Sequence, residues 1–310
     1  MRIVFMGTPD FAVPSLEALV AAGHEVCGVF SQPDKPVGRH QNRLQPTPVK
    51  SCAQSHGIPV FQPTKLRDGT ALSRLKELAP ELIVVAAYGR ILPDDILALP
   101  PKGCINVHSS LLPKYRGSAP IHWAVINGET QTGVTIMHMA SELDAGDIIA
   151  QVSTPIDPEE TVEAVHDRLA QLGGALLVDV VSQIANGTAQ RVPQDPSLVT
   201  LAPMLSRELS PIDWNLPAHV IHNKIRGLVP WPATSTDVFS PEPVKVFAAT
   251  VTEGTTSKEP GTVLNAGTEG IDVACGDGKI LRILELQAPG SRRMKAADYL
   301  RGHSISQQGH

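Results

Sequence analysis

Over roughly the first 150 residues of this 310-residue chain, short apolar runs alternate with amphipathic stretches, and that alternation restricts the fold more than any other feature. The runs at residues 2–6, 25–30, 82–87, 104–108 and 134–139 have the length and composition of strands. Between them, residues 14–22 carry helical spacing and end at Gly23, while Thr47 caps a helix that starts at Pro48 and stops before Gly57. Strand and helix in alternation predict α/β architecture: a doubly wound, mostly parallel sheet of Rossmann-like form, with ligands beyond the carboxyl ends of the strands. A long helix over residues 161–185 closes at Asn186-Gly187, and residues 191–204, proline-rich and polar, read as a linker. From about residue 239 the pattern changes to short strands with Gly and Pro turns, at 244–247, 261–264, 270–274 and 279–286. These predict a small OB-like β-barrel, so the expected division is 1–190, a linker at 191–204, and 205–310.

A composition of 42% hydrophobic and 18% charged residues is that of a globular protein able to bury a core in each part. The apolar runs fall short of a membrane span, so no membrane contact is expected. The chain enters its first strand at Arg2, which leaves no space for a signal peptide and predicts a cytoplasmic, bacterial protein. Cys27, Cys52, Cys104 and Cys275 are scattered without a C-x-x-C pair and read as reduced core residues. The net charge of -5 argues against a generic nucleic-acid binder. Its distribution is uneven: residues 1–204 hold 15 Lys or Arg against 20 Asp or Glu, and the remainder 11 against 11.

Candidate chemistry centres on Cys104-Ile105-Asn106-Val107-His108, where side chains two apart on a strand put Asn106 and His108 on one face. Desolvating an amide and an imidazole without partners is costly, so the pair reads as an oxyanion donor and a general base. Cys104 lies four strand residues from His108, about 13 Å, too far for direct activation. A carboxylate at Asp144, on the loop after the run 134–139, is placed to orient that imidazole and balance its charge. Gly7-Thr8-Pro9-Asp10 lacks dinucleotide or Walker spacing and reads as a turn into a helix. Tyr88-Gly89 ends a strand at the ligand-binding edge, where glycine either admits a ligand to the backbone or makes a plain turn. His122 and His138 read as satisfied core or surface histidines, and with no H-x-x-x-H, H-E-x-x-H or dense His and Asp cluster a catalytic metal is not supported. The loop at 34–46, with Lys35, Arg39 and Arg43, is either mobile surface or a phosphate contact. Near the tail, Lys279, Arg282, Arg292, Arg293, Lys295 and Arg301 face only Glu285 and Asp298, a basic face fit for a polyanion.

The run Asn106-Val107-His108 with Ser110-Leu111-Leu112-Pro113, Arg116-Gly117 and Leu143-Asp144-Ala145-Gly146-Asp147 resembles the folate-dependent formyltransferases, which use 10-formyltetrahydrofolate as co-substrate and no metal. The resemblance implies that Asn106, His108 and Asp144 are catalytic, and that Ser110, Leu111, Leu112 and Pro113 lie against the folate, with Tyr88, Gly89 and Met139 around it. Leu205-Ser206-Arg207-Glu208, Ile212-Asp213-Trp214 and Pro230-Trp231-Pro232 resemble the second domain of the branch that formylates methionyl-tRNA. Glycinamide ribonucleotide formyltransferases lack that domain; sugar-nucleotide formyltransferases and the hydrolase part of formyltetrahydrofolate dehydrogenase share it. The basic loop, with Pro46 and Pro48-Val49-Lys50, is similar to the one that meets the acceptor stem of initiator tRNA in that branch. Lys35, Arg39, Arg43 and Lys50 are thereby implied as tRNA contacts. Ser109 replaces a glycine or alanine of many relatives, and Ala202 and Met204 stand where some carry lysines. Phosphate contacts are therefore expected from Arg207, Arg292, Arg293 and Lys295. The resemblance implies a monomer that binds initiator methionyl-tRNA and releases tetrahydrofolate, with residues 1–190 catalytic and 205–310 binding tRNA. The readings kept beside it are formylation of an amino-sugar nucleotide and a folate- or RNA-binding regulator.

Overall fold

The structure, a computed structural model, describes residues 1–37, 43–303 and 305. The chain divides into two compact units, one of residues 1–120, 132–154 and 166–202, the other of 121–131, 155–165 and 203–310.

The first unit is built on strands β1 (Arg2–Gly7), β2 (Glu25–Phe30), β3 (Lys35–Val37), β4 (Arg43–Gln45), β5 (Val60–Phe61), β6 (Leu82–Ala86), β7 (Cys104–His108), β8 (Arg116–Gly117), β9 (Gln131–His138), β10 (Ile148–Pro155) and β11 (Leu201–Ala202). Seven of these form one sheet in the order β10-β9-β7-β6-β1-β2-β5. From β5 to β7 every ladder is parallel; β9 runs antiparallel to β7. Both faces of the middle strands are covered, which is why they read as continuous apolar runs rather than alternating ones. Val4, Met6, Ile83 and Val85 share one cluster with Leu75 of a flanking helix. Ile3, Phe5, Leu82 and Val84 are equally buried and point the other way by strand alternation.

Helices α1 (Val13–Ala21), α2 (Pro48–Ser55), α3 (Thr70–Leu78), α4 (Asp94–Leu97), α5 (Pro120–Ile126) and α6 (Val162–Asn186) follow the strands. Thr47 caps α2 as expected: its Oγ1 accepts from the Lys50 amide at 3.2 Å. Among the described residues α6 alone has the length and composition of a membrane span. It is a core helix nonetheless, with Leu169, Leu177, Val180 and Val181 buried and its Gly173 seated over Val107 of β7.

Two stretches expected to be irregular carry strand pairing among their described residues. The basic loop folds into a hairpin, with β3 pairing β4 antiparallel; residues 38–42, Arg39 among them, lie outside the described residues. The stretch read as a linker adds backbone pairs to the first unit: Ile148 bridges Val192, and β11 pairs parallel with β8. That pairing needs Gly117, with φ of 123° and a position where a Cβ would stand 2.6 Å from the Ala202 carbonyl oxygen.

The second unit holds β12 (Thr234–Thr236), β13 (Val244–Thr255), β14 (Val263–Gly267), β15 (Gly270–Ala274), β16 (Lys279–Gln287) and β17 (Met294–Lys295), with helices α7 (Ala218–Gly227) and α8 (Ala296–Leu300). Its sheet is antiparallel, in the order β12-β13-β16-β15-β14, and β17 pairs β16. Irregular register along β13 supplies the bends that let one strand serve two neighbours. Trp214, Ile221, Ile225, Val246, Ile271, Ile283 and Leu286 are among its core residues. The unit also recruits chain from the front part. Arg226 of α7 donates to the carbonyls of Asp157 (3.3 Å) and Glu160 (2.7 Å). His122 Nδ1 stands 2.8 Å from the Gly227 carbonyl oxygen. Since that carbonyl only accepts, Nδ1 is the donor, and His122 is the satisfied histidine its sequence setting suggested.

Candidate active site

Asn106 and His108 reach one face of β7 because β7 sits between β6 and β9, in register with Val85, Met137 and Thr135. His108 is 6% exposed, and the Asn106 carboxamide is half-buried and hydrogen-bonded to no described residue. A donor held beside an imidazole and left unpaired is poised for an incoming oxygen.

The His108 ring is held by Nε2, 3.0 Å from the Tyr115 carbonyl oxygen. A carbonyl cannot donate, so Nε2 carries the hydrogen, and Nδ1 is the nitrogen left to accept a proton. Asp144 Oδ2 lies 3.7 Å from that Nδ1, too long for a hydrogen bond and close enough for an ion pair once Nδ1 is protonated. In this geometry the Tyr115 carbonyl holds the ring, and the Asp144 carboxylate lies opposite the nitrogen left to accept a proton. Tyr115 itself has φ of 62°, which turns its carbonyl toward the ring.

Asp144 is 9% exposed and adopts φ of 51°. Its Oδ2 accepts from the Gly117 amide at 2.9 Å. Two residues on, Gly146 lies so close to the strand it leaves that a Cβ there would stand 1.7 Å from the His138 carbonyl oxygen. The loop is clamped from outside as well, by a residue the motif reading missed. Gln194 Nε2 donates to the carbonyls of Asp144 (2.7 Å) and Gly146 (2.9 Å), while its Oε1 accepts from Arg116 Nε (3.0 Å) and Nη2 (2.8 Å). The only trace in the sequence is a glutamine in a stretch with no packing duty, 50 residues from Asp144.

The residues expected around a folate divide into two sets. Gly89 is exposed with φ of 80°, and Leu111, Pro113 and Met139 are half-buried. Tyr88, Ser110 and Leu112 are buried, at 2%, 0% and 3% exposure, which leaves their side chains behind the surface rather than on it. The Ser110 hydroxyl donates to the Lys114 carbonyl at 2.7 Å. Thr135 Oγ1 donates to the Ser110 carbonyl at 2.6 Å and accepts from the Leu112 amide at 3.0 Å. Gln151 donates to the Leu112 carbonyl at 2.9 Å. Ser110 and Leu112 thus shape the turn that presents Leu111 and Pro113. The Tyr88 carbonyl accepts from Thr8 Oγ1 (3.0 Å) and Gln32 Nε2 (3.1 Å), which ties the ends of β1, β2 and β6 together, and the buried Tyr88 hydroxyl has no partner. Burial pushes that phenol above its ordinary value. Cys104 is likewise a core thiol, pushed up to about 12 by burial. His138 is shifted down by burial, and its buried Nε2 has no partner among the described residues, so it is not the satisfied histidine its sequence setting suggested.

Of the expected phosphate contacts, Lys35 and Arg43 are exposed and, by the β3–β4 register, share one face of the hairpin. Lys50 is committed elsewhere: its Nζ pairs with Asp34 Oδ2 at 2.6 Å and donates to Gln62 Oε1 at 2.9 Å. Arg207, Arg292 and Lys295 are exposed. Arg293 pairs with Glu285 and lies over the Phe247 ring, 4.7 Å from its centroid. The tail is less basic than its sequence span suggests, because the β15–β16 register sets Asp272 beside Arg282, which also meets Glu269.

The family model described as Formyl transferase matches residues 1–181, and that described as Formyl transferase, C-terminal domain, matches 204–304. The Moorella thermoacetica methionyl-tRNA formyltransferase is 53% identical over 98% of this chain and 97% of its own length. That of Desulforamulus reducens is 51% identical over 99% and 96%. Among solved structures, the N-formyltransferase of Helicobacter canadensis in complex with folinic acid and dTDP-3-aminofucose superposes with a TM-score of 0.70, at 21% identity over 91% of this chain and 99% of its own. With both family models matched along it and full-length relatives above half identity, the chain belongs to the methionyl-tRNA formyltransferase family of formyl transferases.

Proposed function

We propose that this chain is an enzyme that transfers the formyl group of 10-formyltetrahydrofolate to the α-amine of methionine esterified to initiator tRNA. The observation that carries the reading is the meeting of an unpaired carboxamide, an imidazole with one available nitrogen and a buried carboxylate facing it, in a chain 53% identical to a methionyl-tRNA formyltransferase over nearly its whole length.

The neutral amine attacks the formyl carbon, a C–N bond forms, and the formyl oxygen takes up negative charge. Asn106 donates a hydrogen bond to that oxygen. Nδ1 of His108 accepts the amine proton, and the imidazolium so formed is balanced by Asp144 across the 3.7 Å gap. As the bond to the folate nitrogen breaks, His108 returns the proton to that nitrogen, and tetrahydrofolate leaves with the ring neutral again. Gly89, Leu111, Pro113 and Met139 are assigned to the folate surface, with Tyr88, Ser110 and Leu112 shaping it from behind. The acceptor stem is assigned to Lys35 and Arg43 of the hairpin, to Arg39, which lies outside the described residues, and to Arg207, Arg292 and Lys295 of the second unit, with Lys50 and Arg293 holding the local structure. On this reading the first domain is catalytic, the second binds tRNA, and the protein acts as a monomer in the bacterial cytoplasm.

The test is incubation with labelled formyl donor and either charged initiator tRNA or an amino-sugar nucleotide. Label on the tRNA is expected, and Asn106→Ala should lower kcat by about 10² to 10³ while folding survives. Label on the sugar, or full turnover by the variant, overturns the assignment.

A further inference from the structure

Away from these residues, α1 and the α2 region bring three different ligand types to one point. Cys52 Sγ donates to Glu17 Oε1 at 3.1 Å, and His56 Nε2 lies 2.9 Å from Glu17 Oε2. All three ligand atoms fall within 4.8 Å of one another, and no other such group of three occurs among the described residues. Cys52 and His56 are four apart, so one helical turn sets both on the face that α1 meets, and Glu17 comes from α1. Nothing in the first unit's packing requires a thiol, a carboxylate and an imidazole there; an apolar residue at 52 would serve the contact.

We propose that Glu17, Cys52 and His56 form a binding site for a thiophilic divalent cation, zinc in particular, which clips α1 to α2. The donor set is right for zinc: one sulfur, one imidazole nitrogen and one carboxylate oxygen, with a thiolate and a carboxylate together neutralising the dication. The geometry is close to what is needed. Ligands at about 2.0–2.3 Å in a tetrahedron stand about 3.3–3.6 Å apart, and the three donor atoms lie within 4.8 Å of one another, so side-chain rotations of about an ångström close the set around one cation. Access is one-sided: Cys52 is 8% exposed, whereas the Glu17 and His56 side chains are 48% and 31% exposed, which leaves the fourth position to water. Binding exchanges protons for metal. The Cys52 thiol loses its proton to solvent and its sulfur turns from Glu17 to the cation; His56 binds through Nε2 in its neutral form. Because the metal displaces the thiol proton, uptake strengthens as pH rises. The clip would stiffen α2, whose N-cap Thr47 is separated from β4 of the basic hairpin by Pro46 alone.

The test uses untagged full-length protein stripped with a chelator and titrated with Zn²⁺ against a metallochromic competitor, then with Co²⁺. Expected are one zinc per chain, a rise in melting temperature on saturation, and a thiolate-to-cobalt charge-transfer band. Cys52→Ser should abolish the band, and the exposed His56→Asn, which folds irrespective of the fate of the Cys52 variant, should weaken zinc at least about tenfold. No stoichiometric zinc, a band that survives Cys52→Ser, or affinity unchanged in His56→Asn would overturn the proposal. None of these readouts depends on formyl transfer.

Discussion

Replacing Gln194 with alanine removes a clamp that never touches the reacting atoms. Two hydrogen bonds to the carbonyls of Asp144 and Gly146 are lost, and Arg116 Nε and Nη2 lose their acceptor. At about 1 kcal/mol net for each bond, the held form of the loop is weakened by about 2 kcal/mol, up to a 30-fold change in its population relative to a released one. The half-buried position of Gln194 lets water replace part of the loss, so a fall in kcat of about 10- to 30-fold is expected, with KM for the folate donor little changed. Steady-state formylation of charged initiator tRNA measures both. The stronger assay is a double-mutant cycle with Asp144→Ala: if Gln194 acts by positioning that carboxylate, Gln194→Ala should cost almost nothing further once the carboxylate is gone. A variant with wild-type kcat, or one whose loss is undiminished in the Asp144→Ala background, refutes the positioning argument.

Gly146→Ala places a methyl group where the His138 carbonyl stands, so the β9–β10 connection must open; a loss of several kcal/mol in urea melts and a collapse of kcat are expected, and a soluble, fully active variant would contradict the packing. Lys50 and Gln62 hold the Asp34 carboxyl below its ordinary value, so its stabilising effect is present above the usual carboxylate range and vanishes as pH falls through the lowered value. Asp34→Asn should accordingly melt earlier than wild type at pH 7, with the gap closing in acid; a pH-independent gap argues against the ion pair. Lys35→Ala and Arg43→Ala should each flatten the salt dependence of tRNA affinity by about 0.7–0.9 in log–log slope without altering folate binding. An unchanged slope removes those side chains from the phosphate contacts.

What was legible in the sequence was whatever physics writes locally. Polar residues two apart inside an apolar strand mark a site because burial there has no structural excuse, so Asn106 and His108 stood out; Asp144 came from a carboxylate on a loop leaving a strand. The alternation of strands and helices sufficed for the parallel part of the sheet. Illegible were the features made by register and by backbone. The carbonyl that orients His108 belongs to Tyr115, and any residue type carries a carbonyl. Lys50 looked free because its partners, Asp34 and Gln62, come from elsewhere in the chain. Arg282 looked unopposed because Asp272 precedes it by ten residues and meets it only across a β-ladder. Gln194 carries no titratable group, and glutamine in a proline-rich stretch announces nothing.

The return of residues 191–202 to the first unit has a consequence for how such a gene can be cut and recombined. The first family match stops at residue 181 and the second starts at 204. A crossover placed in the interval, which neither family match covers, would hand the chimera a foreign strand beside Arg116 and a foreign side chain against the carboxylate loop. Functional exchange of the second domain between relatives should therefore tolerate a junction at 203 and fail at 190, and the apparent spacer travels with the chemistry rather than with the appendage.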